Sequence, residues 1–163
     1  MDIRACTVAD LDGVQAIYAH HVRTGFGTFE EIPPDVAEMQ QRFAALVAHD
    51  FPFLVAVIDQ RIAGYAYAGP FRPRAAYRHT CESSVYVAAD AQRRGVGREL
   101  MLRVISECQR LGKQQMLAVI GDSDNAASIG LHSALGFGRV GVFKNIGYKF
   151  GRWLDVVLMQ RAL

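Results

Sequence analysis

The residues with the clearest chemical meaning form a short run rich in arginine and glycine, Gln92-Arg93-Arg94-Gly95-Val96-Gly97. Apolar residues with helical spacing follow the run as far as residue 111, so the run should open a helix. The first backbone N–H groups of a helix have no helical carbonyl to bond, and the helix dipole adds partial positive charge there. Because Gly95 and Gly97 carry no side chains, a ligand can come close to these amides. The run therefore predicts a binding site for an anion such as a diphosphate.

Two common phosphate-binding loops do not fit this run. A P-loop needs the pattern G-x-x-x-x-G-K-[ST], which the chain lacks, and the dinucleotide fingerprint needs a small residue where Leu100 stands. The spacing Q-x-x-G-x-G instead resembles the acyl-CoA pyrophosphate loop of the GNAT superfamily of N-acetyltransferases. The residues before the loop, 83–87, have the composition of a strand, which agrees with this resemblance.

The resemblance implies an α/β fold, a mixed central sheet flanked by helices, in a single GNAT domain over residues 1–163. It also implies acetyl-CoA as co-substrate and no metal. The residues that it places at acetyl-CoA, in the strand, the loop and the first helical turn, are Val85, Tyr86, Val87, Arg93, Arg94, Gly95, Val96, Gly97 and Arg98.

A second motif runs from Asn125 to Phe137. Its polar residues Asn125, Ser128 and His132 are three and four positions apart, so on a helix they form one stripe that should face something polar. The pattern N-x-x-[AS]-x-x-L-[YH]-x-x-x-G-F resembles the second CoA-contacting motif of GNAT enzymes, where a tyrosine often protonates the departing thiolate. By this resemblance Asn125 and Ser128 bind the co-substrate, and His132 is either the general acid or a further CoA contact.

Glu82 stands at the start of the strand that leads into the pyrophosphate loop. In the GNAT fold the acyl thioester lies beside that strand. An amine attacks a thioester only when it is unprotonated, so a carboxylate here could remove a proton from the acceptor, directly or through water. The resemblance therefore makes Glu82 the candidate general base.

Arg72 and Arg74 lie in a loop that is stiffened by two prolines. The guanidinium fork matches the oxygens of a carboxylate, a phosphinate or a sulfone, which suggests an acidic amino-acid acceptor. Four segments of the chain, 28–31, 72–77, 82–87 and 147–156, resemble the phosphinothricin and methionine sulfoximine N-acetyltransferase family. That closer resemblance implies a homodimer, and it places Phe29, Arg72, Arg74 and Tyr77 at the acceptor.

The predicted reaction is transfer of an acetyl group from acetyl-CoA to the α-amine of L-methionine sulfoximine, L-methionine sulfone or phosphinothricin. A protein or peptide N-acetyltransferase and a non-catalytic acyl-CoA sensor are the alternatives. The sequence does not identify the physiological acceptor.

Composition narrows the class of protein. A net charge of +2 is too small to indicate nucleic acid or an anionic membrane as partner. The three cysteines are scattered and form no C-x-x-C pair, which argues against a disulfide framework and a zinc site. The first residues lack the apolar core of a signal peptide, so the expected location is cytoplasmic.

Periodicity and turn residues predict the remaining elements. Strands are expected over 3–6, 53–58, 62–68, 115–120, 140–143 and 153–161, with a loop or a frayed helix over 24–33 and a loop over 145–151. A helix should follow Thr7, and another should contain Asn125 to Leu135. A further helix should have Pro34 in its first turn, with its inward side chains being Val36, Met39, Phe43, Leu46 and Val47.

Overall fold

The computed structural model describes all 163 residues and contains one seven-stranded sheet. The strands are β1 (Asp2–Ala5), β2 (Phe53–Ile58), β3 (Arg61–Pro70), β4 (Thr80–Val87), β5 (Gln115–Gly121), β6 (Gly138–Lys149) and β7 (Arg152–Ala162). Their order across the sheet is β1-β2-β3-β4-β5-β7-β6. The strands β4 and β5 pair in parallel, and all other neighbours are antiparallel. The mixed sheet predicted from the sequence is confirmed.

Four helices cover the two faces of the sheet: α1 (Leu11–Thr24), α2 (Val36–Val47), α3 (Val96–Arg110) and α4 (Ala126–Ala134). Side chains of a strand alternate between faces, so β2 sends Phe53 and Val55 into a core with α1 and α2. The same strand sends Leu54 and Ala56 into a larger core on the other face, with α3. None of the helices is long and apolar enough to span a membrane.

The start of α2 differs from the prediction. Asp35 is the N-cap, and its Oδ1 accepts a hydrogen bond of 2.8 Å from the backbone N–H of Glu38. The helix therefore begins at Val36, and Pro34 precedes the cap instead of lying in the first turn.

The predicted inward face of α2 is also only partly correct. Met39 is buried, but Val36 and Val47 at the two ends of the helix expose 38% and 46% of their surface. The helix lies at the margin of the sheet, so its middle covers the core while its ends face solvent.

The predicted loop over 145–151 is wrong, because β6 continues to Lys149 and only Phe150 and Gly151 form the turn. The pairing of β6 with β7 changes register between Phe143 and Gly147, and Asn145 there has a left-handed backbone with φ of 50°. Asparagine and glycine are typical turn residues, but here they form an irregularity within a strand. A long β6–β7 hairpin therefore reaches past the end of β5.

Candidate active site

The strands β4 and β5 separate in the middle of the sheet. They pair only from Thr80–Gln115 to Ser83–Ala118, although β4 continues to Val87 and β5 to Gly121. A gap lined by backbone groups therefore opens between them.

The pairing of β4 with β3 shows which groups face this gap. In an antiparallel ladder the residues that bond the neighbouring strand alternate with residues that face away. Ala88 donates its backbone N–H to the carbonyl of Ala63 at 2.9 Å, so in the same ladder Ser84 and Tyr86 bond β3. The backbone N–H and C=O groups of Val85 and Val87 therefore face the gap.

His21 of α1 bonds one of these groups. Its Nε2 donates to the carbonyl oxygen of Val87 at 2.9 Å, and its ring packs on Tyr86 with centroids 5.5 Å apart. Burial lowers the pKa of His21, and the bond to Val87 opposes that shift. Sequence reasoning gave His21 no role, because a histidine in a helix carries no signal of which strand carbonyl it meets.

The glycine loop opens α3 as the sequence predicted. Gly95 is the N-cap with a left-handed φ of 82°, and the first amide bonded within the helix is that of Glu99, to Gly95 at 3.1 Å. The amides of residues 96–98 find no acceptor within the chain. The Val96 side chain is buried, so this residue presents only its backbone to a ligand. Three free amides at a helix N-terminus fit a diphosphate.

The arginines of the loop differ in their partners. Arg98 forms an ion pair of 2.9 Å with Glu99, whereas Arg93 and Arg94 are exposed and form no ion pair. The latter two guanidinium groups are therefore available to an anion at the helix start.

Asn125 connects α4 to the end of β5. Its side-chain oxygen accepts from the Ser128 amide at 3.2 Å, and its Nδ2 donates to the carbonyl of Gly121 at 2.8 Å. The side chains of Asn125 and Ser128 are half-buried at the β5 side of the gap. This position agrees with the predicted co-substrate contact.

His132 does not share a polar surface with them. Only 3% of the residue is exposed, and its ring lies edge-on to Phe137 at 5.0 Å. Its Nδ1 donates to the Ser128 carbonyl at 2.8 Å, while its Nε2 has no hydrogen-bond partner. Burial lowers the pKa of His132, so the ring is neutral and its free Nε2 carries a lone pair. The Ser128 hydroxyl lies 3.4 Å from Nδ1 of His132, so the predicted stripe is continuous but its last member is buried.

Glu82 faces the α1 side of the sheet. Cys81 belongs to the core with α3 and Tyr86 packs against the core with α1, so alternation directs Glu82 toward the α1 side. Its half-buried carboxylate forms no ion pair, and burial alone raises its pKa. A carboxylate with a raised pKa is suited to accept a proton near neutral pH.

Phe29 lies across the end of β5 and the bulged part of β6. A Cβ atom at Gly121 would be 2.6 Å from its ring, and one at Gly147 would overlap the ring. Glycine at these two positions is therefore what allows the aromatic ring to lie on the strands. The ring is 37% exposed and forms a wall on the side of the sheet that Glu82 faces.

The loop between β3 and β4 carries two arginines that face solvent. Arg72 and Arg74 are exposed and form no ion pair, and the Arg72 guanidinium packs over Phe71 and Tyr77 at 5.1 and 6.0 Å from the ring centroids. The aromatic rings thus hold Arg72 in place without neutralising it. The loop immediately precedes the strand that carries Glu82.

No group of three or more His, Cys, Asp or Glu side chains is arranged to hold a metal ion. A cavity of about 500 Å³ lies between β1 and the C-terminal half of α3 and contains none of the candidate residues. The site is therefore identified by its backbone gap and polar groups, not by cavity size.

Comparison with known proteins assigns the family. Residues 3–158 match the acetyltransferase (GNAT) domain. The chain belongs to the GNAT family. It is an N-acetyltransferase, and the separated strands and the free amides at the start of α3 belong to this GNAT fold.

Similar proteins cover nearly the whole GNAT chain. A phosphinothricin N-acetyltransferase of Alcaligenes faecalis is 54% identical over 98% of this chain and 83% of its own length. An L-methionine sulfoximine/L-methionine sulfone acetyltransferase of Pseudomonas paraeruginosa is 42% identical over 99% and 94%.

Solved structures show the same fold. A phosphinothricin acetyltransferase from Sinorhizobium meliloti in complex with AcCoA has a TM-score of 0.96, 42% identity and coverage of 99% of this chain and 88% of its own. A ribosomal-protein-alanine N-acetyltransferase from Brucella melitensis has a TM-score of 0.97, 40% identity and full coverage of both chains.

The loop at Gly95 gives a test of the diphosphate site. Gly95 and Gly112 flank the same helix, both have left-handed backbones, and neither would place a Cβ within 4 Å of another group. Gly95→Ala and Gly112→Ala should therefore each lose about 1 kcal/mol of unfolding free energy through backbone strain. Only Gly95→Ala should weaken acetyl-CoA binding in calorimetry, by about tenfold, because only its methyl group lies beside the free amides. Equal affinities of the two variants would place the diphosphate elsewhere.

Proposed function

We propose that this enzyme transfers the acetyl group of acetyl-CoA to the α-amine of phosphinothricin, L-methionine sulfoximine and L-methionine sulfone. The observation that carries the proposal is the 54% identity with the Alcaligenes faecalis phosphinothricin N-acetyltransferase over nearly the whole chain. The half-buried carboxylate of Glu82 and the unpaired arginines of the β3–β4 loop support it.

Acetyl-CoA would be held along the gap and at the start of α3. The backbone of Val85 and the backbone N–H of Val87 would meet the pantetheine arm, with Tyr86 between them packing on the α1 side. The amides of residues 96–98, with Arg93 and Arg94, would meet the diphosphate, and Asn125 and Ser128 would border the co-substrate from the β5 side. Bound acetyl-CoA supplies an activated acyl group, so the protein needs to provide only positioning and proton transfer.

Glu82 would remove the proton from the acceptor ammonium. Burial raises its pKa, so it accepts a proton more readily than an ordinary carboxylate. The Val85 backbone N–H faces the gap and would donate to the thioester oxygen, where negative charge develops.

The role of His132 in the reaction depends on its tautomer. With Nδ1–H bonded to Ser128, the neutral ring has only a lone pair at Nε2, so Nε2 can accept a hydrogen bond but cannot donate one. As the general acid, the ring would first have to be protonated at Nε2. The geometry therefore supports a contact to CoA or an ordered water more than direct donation.

Phe29, Arg72, Arg74 and Tyr77 would form the acceptor side. Arg72 and Arg74 would bind the carboxylate and the phosphinate or sulfone oxygens, while Phe29 would limit the pocket at the end of β5. A ribosomal-protein N-acetyltransferase is a second candidate, because the Brucella melitensis ribosomal-protein-alanine N-acetyltransferase is 40% identical and shares the fold over the full chain.

An acceptor panel separates these two functions. Thiol release from acetyl-CoA should be at least about tenfold faster, as kcat/KM, with the three analogues than with alanine-starting peptides, because two arginines match a small dianionic or sulfone-like acceptor. Arg72→Ala and Arg74→Ala should each raise acceptor KM about tenfold and leave acetyl-CoA KM unchanged. Arg78→Ala is the matched control, since Arg78 is exposed in the same loop but bonds the carbonyl of Ala75. Preference for the peptides would overturn the proposed acceptor.

Glu82→Gln tests the proposed base. The variant should lose about 10²-fold in kcat at pH 7, and a rise in pH should restore part of the loss by deprotonating the amine in solution. The pKa of Glu82 is higher in the folded chain, so the carboxylate costs stability as pH rises through the raised pKa. Thermal unfolding of Glu82→Gln at pH 7 should therefore occur at or above the wild-type temperature. Undiminished kcat across the pH range would remove Glu82 from the mechanism.

We also propose that the enzyme is a homodimer formed through the β6–β7 hairpin. The twelve-residue strand β6 is the edge of the sheet, and large apolar side chains of the hairpin are exposed. They are Val140, Phe143, Ile146, Tyr148, Phe150 and Trp153. An apolar edge strand of this length is a surface that another chain can cover.

Trp153→Ser should therefore weaken self-association about tenfold or more in analytical ultracentrifugation, because aromatic residues dominate interface energies. Trp153 is 62% exposed and packs on Tyr148 at 5.2 Å, so its removal leaves the core intact. Val8→Ser, which changes an equally exposed apolar residue far from the hairpin, is the control. A monomeric wild type would contradict the dimer.

A cytoplasmic location is proposed on chemical grounds. Cys6, Cys81 and Cys108 are all free and buried, and none is paired in a disulfide. Free thiols agree with a reducing compartment.

A further inference from the structure

Lys149, near the end of β6, is a charged residue that the proposed chemistry does not use. Its side chain is fully buried, and its Nζ donates to the carbonyl oxygens of Gly25 at 2.9 Å and Thr28 at 2.8 Å. The ammonium also lies 4.9 Å from the centroid of the Phe150 ring and forms no ion pair. A buried charge is costly unless it is hydrogen-bonded, so these carbonyls are essential partners of the lysine.

The two carbonyls belong to the peptide groups that directly precede the aromatic residues of the 25–30 loop. The Gly25 carbonyl is part of the peptide bond to Phe26, and the Thr28 carbonyl is part of the peptide bond to Phe29. A hydrogen bond to a carbonyl fixes the orientation of its planar peptide group, and with it the backbone from which the next side chain leaves. Lys149 thus fixes the backbone that directs both rings.

Side-chain contacts hold the conformation of this loop. Residues 25–35 contain no helix or strand, so regular backbone hydrogen bonds do not support them. Phe26 packs on Phe150 with centroids 5.7 Å apart, and Thr28 Oγ1 bonds the Tyr18 hydroxyl at 2.8 Å. These contacts hold one side of the loop, and Lys149 is the donor that connects it to the sheet.

We propose that Lys149 is a positioning residue for the acceptor pocket. Its ammonium fixes the Thr28–Phe29 peptide and thereby keeps the Phe29 ring on Gly121 and Gly147, where the ring limits the space for the acceptor. The effect on catalysis rests on the proposed function, because it requires Phe29 to line the acceptor site. The effect on the loop does not require it.

Lys149→Met keeps the length and apolar stem of the side chain but removes all donors. The Gly25 and Thr28 carbonyls then lose their partner, so the loop should leave the sheet. Acceptor KM should rise about tenfold, while acetyl-CoA KM stays within about twofold of wild type. Lys149 donates its hydrogen bonds only to the loop that carries Phe29.

A double-mutant cycle separates positioning from general damage. If Lys149 acts through Phe29, Lys149→Met should raise acceptor KM by less than about twofold in a Phe29→Ala background, since the ring that it positions is already absent. Equal effects of Lys149→Met in both backgrounds would overturn the proposal.

Hydrogen exchange gives a readout that does not depend on activity. In Lys149→Met the amides of residues 26–30 should exchange about tenfold or more faster, while those of α3 keep the wild-type rate. If Lys149→Met does not fold, Lys149→Gln, which has a donor but a shorter reach, should show the same local change to a smaller extent. Unchanged exchange of the loop, or equal acceleration throughout the chain, would overturn the proposal.

The same experiments test the proposed acceptor and the positioning role of Lys149 separately. A wild-type enzyme inactive on the three analogues would overturn the proposed acceptor, and the local exchange would still report on the loop. An active enzyme with a freed loop but unchanged acceptor KM would overturn the positioning role alone.

Discussion

The separation of β4 and β5 is the constraint on which the rest of the structure depends. A parallel pair in the middle of a sheet normally hydrogen-bonds along its whole length, because unpaired backbone groups in the interior are costly. Here the pair stops after Ser83 and Ala118, and the interior backbone groups beyond it do not pair between the two strands. The glycine loop follows directly from the freed end of β4, so strand and loop form one continuous binding surface.

The acceptor side is built differently. The residues proposed for it come from an irregular loop and an exposed loop, and a polar network holds the irregular loop against α1 and α2. Glu30 accepts a hydrogen bond from Tyr18 at 2.8 Å and forms an ion pair of 2.7 Å with Arg42 of α2. Ion pairs at a half-exposed position add little stability, but a network of this kind fixes geometry. The co-substrate side therefore rests on regular backbone, whereas the acceptor side rests on side chains.

This difference explains what the sequence could predict. The glycine run and the strand before it have local signatures, so the sequence could predict the start of α3, the helix itself and the position of Glu82 on β4. The spacing from Asn125 to Phe137 indicated the helix and its cap, but not that His132 would turn toward Phe137, because that contact depends on how the helix lies on the core.

Contacts between distant segments could not be derived from local patterns. Lys149 lies 124 residues from Gly25, and no periodicity links a lysine in a predicted turn to carbonyls near the N-terminus. The error over residues 145–151 has the same origin, because asparagine and glycine have the same local preference in a turn and in a strand irregularity. The exposed ends of α2 likewise depend on where the sheet stops.

The hydrogen bond from His21 to Val87 has a consequence for binding energetics. Because α1 supplies a donor to a carbonyl that faces the gap, the end of β4 satisfies this group without pairing with β5. An incoming ligand therefore does not have to break a strand ladder before it can enter. The opening is preorganised, so the association free energy is not reduced by a conformational step. The His21 imidazole thus satisfies one of the strand carbonyls that the separation of β4 and β5 leaves unpaired.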